Sequence, residues 1–166
     1  VRWSDARAED EAAARRARYD LLTSCARSRN MACVVTAHTE DDQAETLLMR
    51  LRRGSGVDGL SAIAPISERN GIAIVRPLLG FSKGRLTACL RASSVPFLRD
   101  PSNDNAAFER VRLRHATKAL AAAGITRSSL AVTAARLSRS RDALAAVTEN
   151  VLCQHFRVTD LAQGKI

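Results

Sequence analysis

TAHTEDDQAETLLMRLRRGSGVDGL, residues 36–60, decides the fold. The apolar run Cys33-Val34-Val35 leads into it, so a strand over 31–36 should end near His38. Thr39 is placed as an N-cap, and Asp42 stands three residues on, the spacing at which cap and third helical residue bond reciprocally. Ala44, Leu47, Leu48 and Leu51 recur at i, i+3, i+4 and i+7 and mark the buried stripe of a helix running to about Arg53. Asp41, Asp42 and Glu45 then fall on another face of its first turn, so His38, Asp42 and Glu45 can converge in one crevice at the end of a strand, where open α/β sheets bind ligands. Acids in a first turn are ordinary, because the helix dipole favours them. Four within six positions exceed what capping needs and repel one another. The excess favours a site that binds Mg²⁺ or an ammonium group; Mg²⁺ takes a carboxylate or two with phosphate oxygens and water. Gly54 and Gly56 end the helix, Gly54 as its C-cap. The glycine loop could also cradle phosphate through its N–H groups, although capping accounts for it without a ligand.

Working outward, 166 residues, 46% hydrophobic and 26% charged, suffice for one core plus an extension. The chain starts at Val1 and reads as an internal fragment. No apolar run approaches membrane-spanning length and no signal peptide is visible, which excludes a helical membrane protein. Cys25, Cys33, Cys89 and Cys153 form no C-x-x-C and read as reduced thiols of a cytoplasmic protein, mostly in the core. The net charge of +9, with 23 arginines to 3 lysines, suits a phosphate-rich partner, although base bias in a genome would give the same composition.

Residues 5–29 read as an alanine-rich helix with Ala14, Ala17, Leu21, Leu22 and Cys25 inward. Arg18 falls inside that stripe and asks for a carboxylate or phosphate, unless it snorkels at the helix edge. Residues 72–75 form a second short strand, expected to be buried on both faces. Ser82 caps a helix over 83–93 with Leu86, Cys89 and Leu90 inward. Asp100-Pro101-Ser102-Asn103 is a turn and N-cap for a helix carrying Arg110, Arg112 and Arg114. Arg110 and Arg114 share a face; Leu113, Thr117 and Leu120 line the packed side, and Gly124 ends the helix. A last helix over 128–153 has Leu130, Leu137, Leu144 and Val151 at sevenfold spacing and reads as the start of a following unit, dividing the chain into 1–124 and 125–166.

Residues 37–46 and 53–60 together resemble the signature of the bacterial tRNA-Ile lysidine synthetases, a PP-loop ATPase family: A-H-x-x-D-D-Q-A-E-T, a leucine-rich helix, then R-G-S-G-x-x-G-L. Ala14 to Tyr19 matches its A-R-x-x-R-Y, Arg76 to Lys83 its R-P-L-L-x-F-S-K, and Asp100 to Asn103 its D-x-S-N. Arg110 to Arg114 matches R-N-R-x-R with Val111 in place of the asparagine. The resemblance implies an α/β fold, a Rossmann-like adenine nucleotide alpha hydrolase domain truncated before its S-G-G-x-D-S phosphate loop and followed by a helical extension. It also implies a ligase that uses ATP and Mg²⁺ to adenylate the wobble cytidine of tRNA-Ile with a CAU anticodon and joins free L-lysine to it, the chain carrying half of the active site. On the matching positions it implies catalytic roles for Asp42, Glu45, Arg18 and Arg110, nucleotide contacts from His38, Gly54 and Gly56, and Asp42 as the metal carboxylate. The alternatives are another PP-loop enzyme, such as a tRNA thiolase or an amide-forming ATP pyrophosphatase, and a non-catalytic basic RNA-binding module. The oligomeric state is not readable from the sequence.

Overall fold

The computed structural model describes residues 11–98 and 109–155. In order these form α1 (Glu11–Ser28), β1 (Cys33–Val35), α2 (Glu40–Arg52), α3 (Val57–Leu60), β2 (Ile66–Arg69), β3 (Ile72–Val75), α4 (Lys83–Ala92), α5 (Glu109–Ala122) and α6 (Arg127–His155). The sheet order is β1-β3-β2. β1 runs parallel to β3 with Cys33, Val34 and Val35 opposite Ala73, Ile74 and Val75; β2 pairs antiparallel with β3. The parallel pair makes a β-α-β unit around α2.

β2 is absent from the sequence reading, although its signal was there. Asn70 and Gly71 have φ of 53° and 72°, both positive, as a two-residue hairpin turn demands, and Asn-Gly is the pair that best tolerates it. β3 is therefore central, with Ile72 and Ile74 buried and Ala73 and Val75 half-buried, an alternation rather than burial on both faces.

α1 is turned nearly opposite to the expected stripe. Tyr19, Thr23 and Ala26 are buried, while Leu21, Leu22 and Cys25 are exposed. At about 100° per residue Tyr19 and Leu21 lie ~160° apart. Small Thr23 and Ala26 let α1 lie close on β1 and β3, and the Thr23 hydroxyl enters the interior already bonded to the Tyr19 and Asp20 carbonyls at 2.9 and 3.2 Å. The cysteine expectation fails for a related reason. All four thiols are exposed: Cys25 outside α1, Cys33 on an edge strand, Cys89 on α4, Cys153 near the end of α6. α4 buries none of its residues, so Leu86 is only half-buried and Cys89 and Leu90 face outward.

On α2, Ala44 and Leu47 are buried as expected, but Leu51 is 56% exposed. α3 docks on the Arg50 side of that last turn, where Arg50 donates to the carbonyls of Gly59 and Ala62, and Leu51 is left outside. Leu47 meets Ala62 and Ala134, with Leu60 and Leu130 packed around them. The first half of α6 thus lies against α2 and α3. Thr117 is buried and Leu113 and Leu120 are half-buried on α5. Asp100 to Asn103 lie outside the described residues. Among the described residues no helix is long and apolar enough to cross a membrane.

Candidate active site

β1 hands the chain to the motif at Thr36, whose N–H still bonds Val75 on β3 at 2.9 Å. Two residues later His38 is held at both ring nitrogens: Nδ1 lies 3.0 Å from Thr36 Oγ1 and Nε2 lies 3.3 Å from an Arg15 guanidinium nitrogen. A guanidinium can only donate, so Nε2 accepts, and the proton of a neutral imidazole then sits on Nδ1 and is donated to Thr36. Arg15 also lies 5.3 Å from the centre of the Tyr19 ring. It is the arginine that α1 delivers to the motif. Arg18, the one singled out by the sequence, is exposed on the outer side of the helix and needs no buried partner. With the stripe turned, Arg15 becomes the inner-edge arginine.

The acidic run is tied to its own helix cap and to several other parts of the chain. Glu40 N–H donates to Phe81 O at 3.0 Å. Asp41 Oδ2 accepts the Lys83 N–H at the start of α4, 2.7 Å, and its Oδ1 is 3.3 Å from Arg127 at the start of α6. Asp42 Oδ2 accepts both the N–H and the hydroxyl of Thr39, at 2.8 and 2.9 Å, in the expected capping box. Gln43 makes a two-bond clasp with the backbone of Ile63, both at 2.8 Å. Glu45 is 4% exposed and accepts from Arg114 Nε at 2.8 Å.

Arg114 answers the repulsion that the sequence left open. Its hydrogen bond to Glu45 holds its proton more firmly than usual; burial opposes this, and the charges of Glu45, Asp42 and Asp41 add to it. Cations that offset the acids are therefore carried by the protein itself, Arg114 on α5 against Glu45 and Arg127 on α6 against Asp41. Sequence reading placed Arg110 and Arg114 on one face and chose Arg110; the Arg110 side chain lies outside the described residues.

The glycines stand apart from this centre. α2 has 13 residues, so Gly54 is about 20 Å along its axis from Thr39. Gly54 has φ 67°, its N–H bonds Leu51 O, and Ser55 N–H bonds Arg50 O: a Schellman cap that already uses the Gly54 donor. Gly56 begins α3 and faces α6 across a groove of about 760 Å³. Gly59 is constrained for a different reason, since a Cβ there would stand 2.5 Å from Ser55 Cβ. Close packing thus accounts for the last glycine of R-G-S-G-x-x-G-L.

Among the described residues no three His, Cys, Asp or Glu side chains gather to hold a metal. Asp42 offers one carboxylate at a helix start, with one oxygen engaged by Thr39. That suits Mg²⁺ only as a single protein ligand, with phosphate and water completing its shell.

Residues 2–120 match the PP-loop domain family. The chain is 50% identical over 151 residues to a tRNA(Ile)-lysidine synthase of Bradyrhizobium diazoefficiens, covering 90% of this chain and 42% of that protein. It is 48% identical over 131 residues to the tRNA(Ile)-lysidine synthase of Ruegeria pomeroyi (79% and 31%), and 39% over 151 residues to that of Zymomonas mobilis (89% and 45%). It spans less than half the length of these relatives. With its β-α-β unit, its acid-led helix and a family match over most of its length, the chain belongs to the PP-loop domain family.

Proposed function

We propose that this chain supplies the acid-motif part of the active centre of a tRNA-Ile lysidine synthetase. In that reaction the 2-carbonyl oxygen of the wobble cytidine attacks the α-phosphorus of ATP and releases pyrophosphate. The lysine amine then forms a C–N bond at C2 as AMP leaves. The observation that carries the reading is the buried Glu45–Arg114 pair in the helix that follows β1, beside the charges of Asp41 and Asp42, in a chain this similar to lysidine synthases. A basic RNA-binding module would have no use for a buried carboxylate, Glu45, with its own guanidinium.

The geometry supports the following roles. Asp42 and Glu45 form the negative wall that takes the lysine ammonium. Arg114 fixes Glu45 and keeps the wall from flying apart in the absence of substrate. Asp42 is the carboxylate we assign to Mg²⁺, which would arrive on the ATP phosphates and offset their charge. His38, oriented by Thr36 and Arg15, presents a neutral ring beside a guanidinium, a pairing suited to steadying a phosphate or the adenylated base. Arg15 takes the part the resemblance gave to Arg18. Arg110 stays a proposed contact to the adenylated base. Gly54 serves the helix cap, which leaves Gly56 as the glycine available to a nucleotide phosphate. The residues after 124 are proposed to begin the next unit, and the cytoplasm, where ATP, lysine and tRNA meet, is the proposed location.

Grafting this chain in place of the corresponding stretch of the Bradyrhizobium protein tests the reading. The chimera, given ATP, Mg²⁺, labelled lysine and a tRNA-Ile transcript with a CAU anticodon, should incorporate lysine. A folded chimera that stays at background sinks it.

A further inference from the structure

Farther along α2 lies the opposite electrostatic problem. A cavity of about 460 Å³ is walled by Arg15, Arg50, Arg53, Arg76 and Arg141, and one acid, Asp58, lines it. A second cavity of about 410 Å³ shares Arg15, Ser67 and Arg76 with it and adds Arg16 and Arg69, with Glu68 as its acid. Much of the first wall is held by neutral acceptors. Arg76 donates to Ala64 O at 2.8 Å and Ser67 Oγ at 3.0 Å, Arg50 to Gly59 O and Ala62 O at 2.6 and 2.9 Å, and Arg141 to Ser61 Oγ at 2.8 Å. The bonds of Arg50 and Arg76 fix their guanidinium groups without neutralising them; Arg141 is also paired with Asp142 at 2.7 Å. Burial, and then the charge of Arg53, make the Arg50 proton easier to lose than usual, the mark of cations crowded together.

Two buried polar atoms in the same wall, Thr46 Oγ1 and Arg76 Nε, have no hydrogen-bond partner among the described residues. Thr46 is only 8% exposed. A buried donor left unmade costs about 1–3 kcal/mol, which an acceptor drawn into the wall would recover.

We propose that these two adjoining cavities form a groove for the phosphodiester backbone of a single RNA strand, with the phosphates over the Arg50–Arg53–Arg76–Arg141 wall. This rests on the reading of the chain as part of an RNA-modifying enzyme. Phosphate oxygens would satisfy the orphaned donors and relieve the crowded guanidinium groups, as Arg114 does for the acids. The two cavities share Arg15, Ser67 and Arg76 in their walls, so basic groups follow one another across both, which suits a chain of phosphates better than one free anion. Arg15 belongs to both cavities and bonds His38, so a strand in the groove is carried towards the acid motif.

The test is fluorescence anisotropy of a labelled single-stranded RNA with the chain, across a salt series from about 50 to about 200 mM. Arg53→Gln and Arg141→Gln should each weaken binding about fivefold and reduce the slope of log K against log salt by ~0.7, one phosphate contact on a single strand. Thr46→Val should also weaken RNA binding while leaving the melting temperature equal or higher, because it removes an unmade hydroxyl; a merely structural threonine would not give that split. Arg91→Gln, on the exposed last turn of α4, should change neither. Groove variants that behave like Arg91→Gln overturn the proposal. So does a wild-type chain that binds inorganic pyrophosphate in the groove without competition from RNA, since the occupant is then a small anion. Lysine incorporation by the grafted chimera is scored separately: a chimera that forms lysidine while the groove variants bind RNA normally removes the groove and leaves the enzyme reading intact.

Discussion

Glu45 and Asp42 sit one turn apart, yet a change of charge at each should read out differently. Asp42 is half-buried and its Oδ2 works as part of a cap. Asp42→Asn keeps the volume and a capping oxygen, so it should cost about 1 kcal/mol or less in a melt. Glu45→Gln leaves Arg114 facing a neutral amide. The Glu45 side chain is 5% exposed and that of Arg114 34%, so solvent screens part of the loss and about 1–2 kcal/mol is expected. If the two acids take the lysine ammonium, both variants in the grafted chimera should lower single-turnover lysidine formation by about a hundredfold, ~2.7 kcal/mol of transition-state stabilisation. Near-normal rates in both would reduce the acidic run to a helix start with a structural arginine. The sequence displayed these acids plainly, because type and spacing place them on one face of one turn. It did not display Arg114 as the partner of Glu45, or Arg15 as that of His38. Both come from elements distant in sequence, and arginine is so frequent here that its position carries little information until the helices are docked.

The short elements divide by whether their signal is local. The Asn70-Gly71 turn is local: both residues sit at positive φ, and the pair alone announces β2 and β3. α2 is local as well, since its cap and apolar period are written in consecutive residues. The rotation of α1 is not. Alanine and arginine occur all around it, so the apolar period has little contrast, and the leucines lost to a threonine that carries its own hydrogen bonds. Two glycines separate backbone strain from crowding. Gly71→Ala meets open space but forces an alanine to φ 72°, which should cost about 1–2 kcal/mol. Gly59→Ala has an ordinary φ but a Cβ clash with Ser55, and should cost about 1–3 kcal/mol. The companion change Ser55→Gly should rescue Gly59→Ala and leave Gly71→Ala as it was, in thermal or denaturant melts. Failure of that rescue would mean the R-G-S-G-x-x-G-L spacing has another cause.

Across the whole molecule, two charge fields follow one another along α2. Acids gather at its start around Arg114, and arginines gather on the side that faces the β2–β3 hairpin and α6. α6 holds this arrangement together along only part of its length. Its first half buries Ala134 and packs Leu130 against Leu47 and Ala62; Arg127 reaches Asp41, and Arg141 reaches Ser61. Beyond Arg141 every described residue is exposed, including Leu144, Val147, Val151 and Leu152 at 45–62%. The sevenfold leucines therefore do two jobs, docking at the near end and lying open at the far end, which a uniform repeat cannot reveal. Backbone hydrogen bonds in a helix end that buries no apolar surface open with little free energy, whereas those in a docked stretch open with much of the global stability. Native-state hydrogen exchange on this chain should show amides of 130–141 protected close to the level of α2, and amides of 144–155 exchanging at least tenfold faster, about 1.4 kcal/mol lower in opening free energy. Ala134→Met overfills the contact with Leu47 and Ala62 and should lower protection of the first half selectively. Uniform protection along α6, unaffected by Ala134→Met, would show that the far half is stabilised by something other than its contact with α2 and α3.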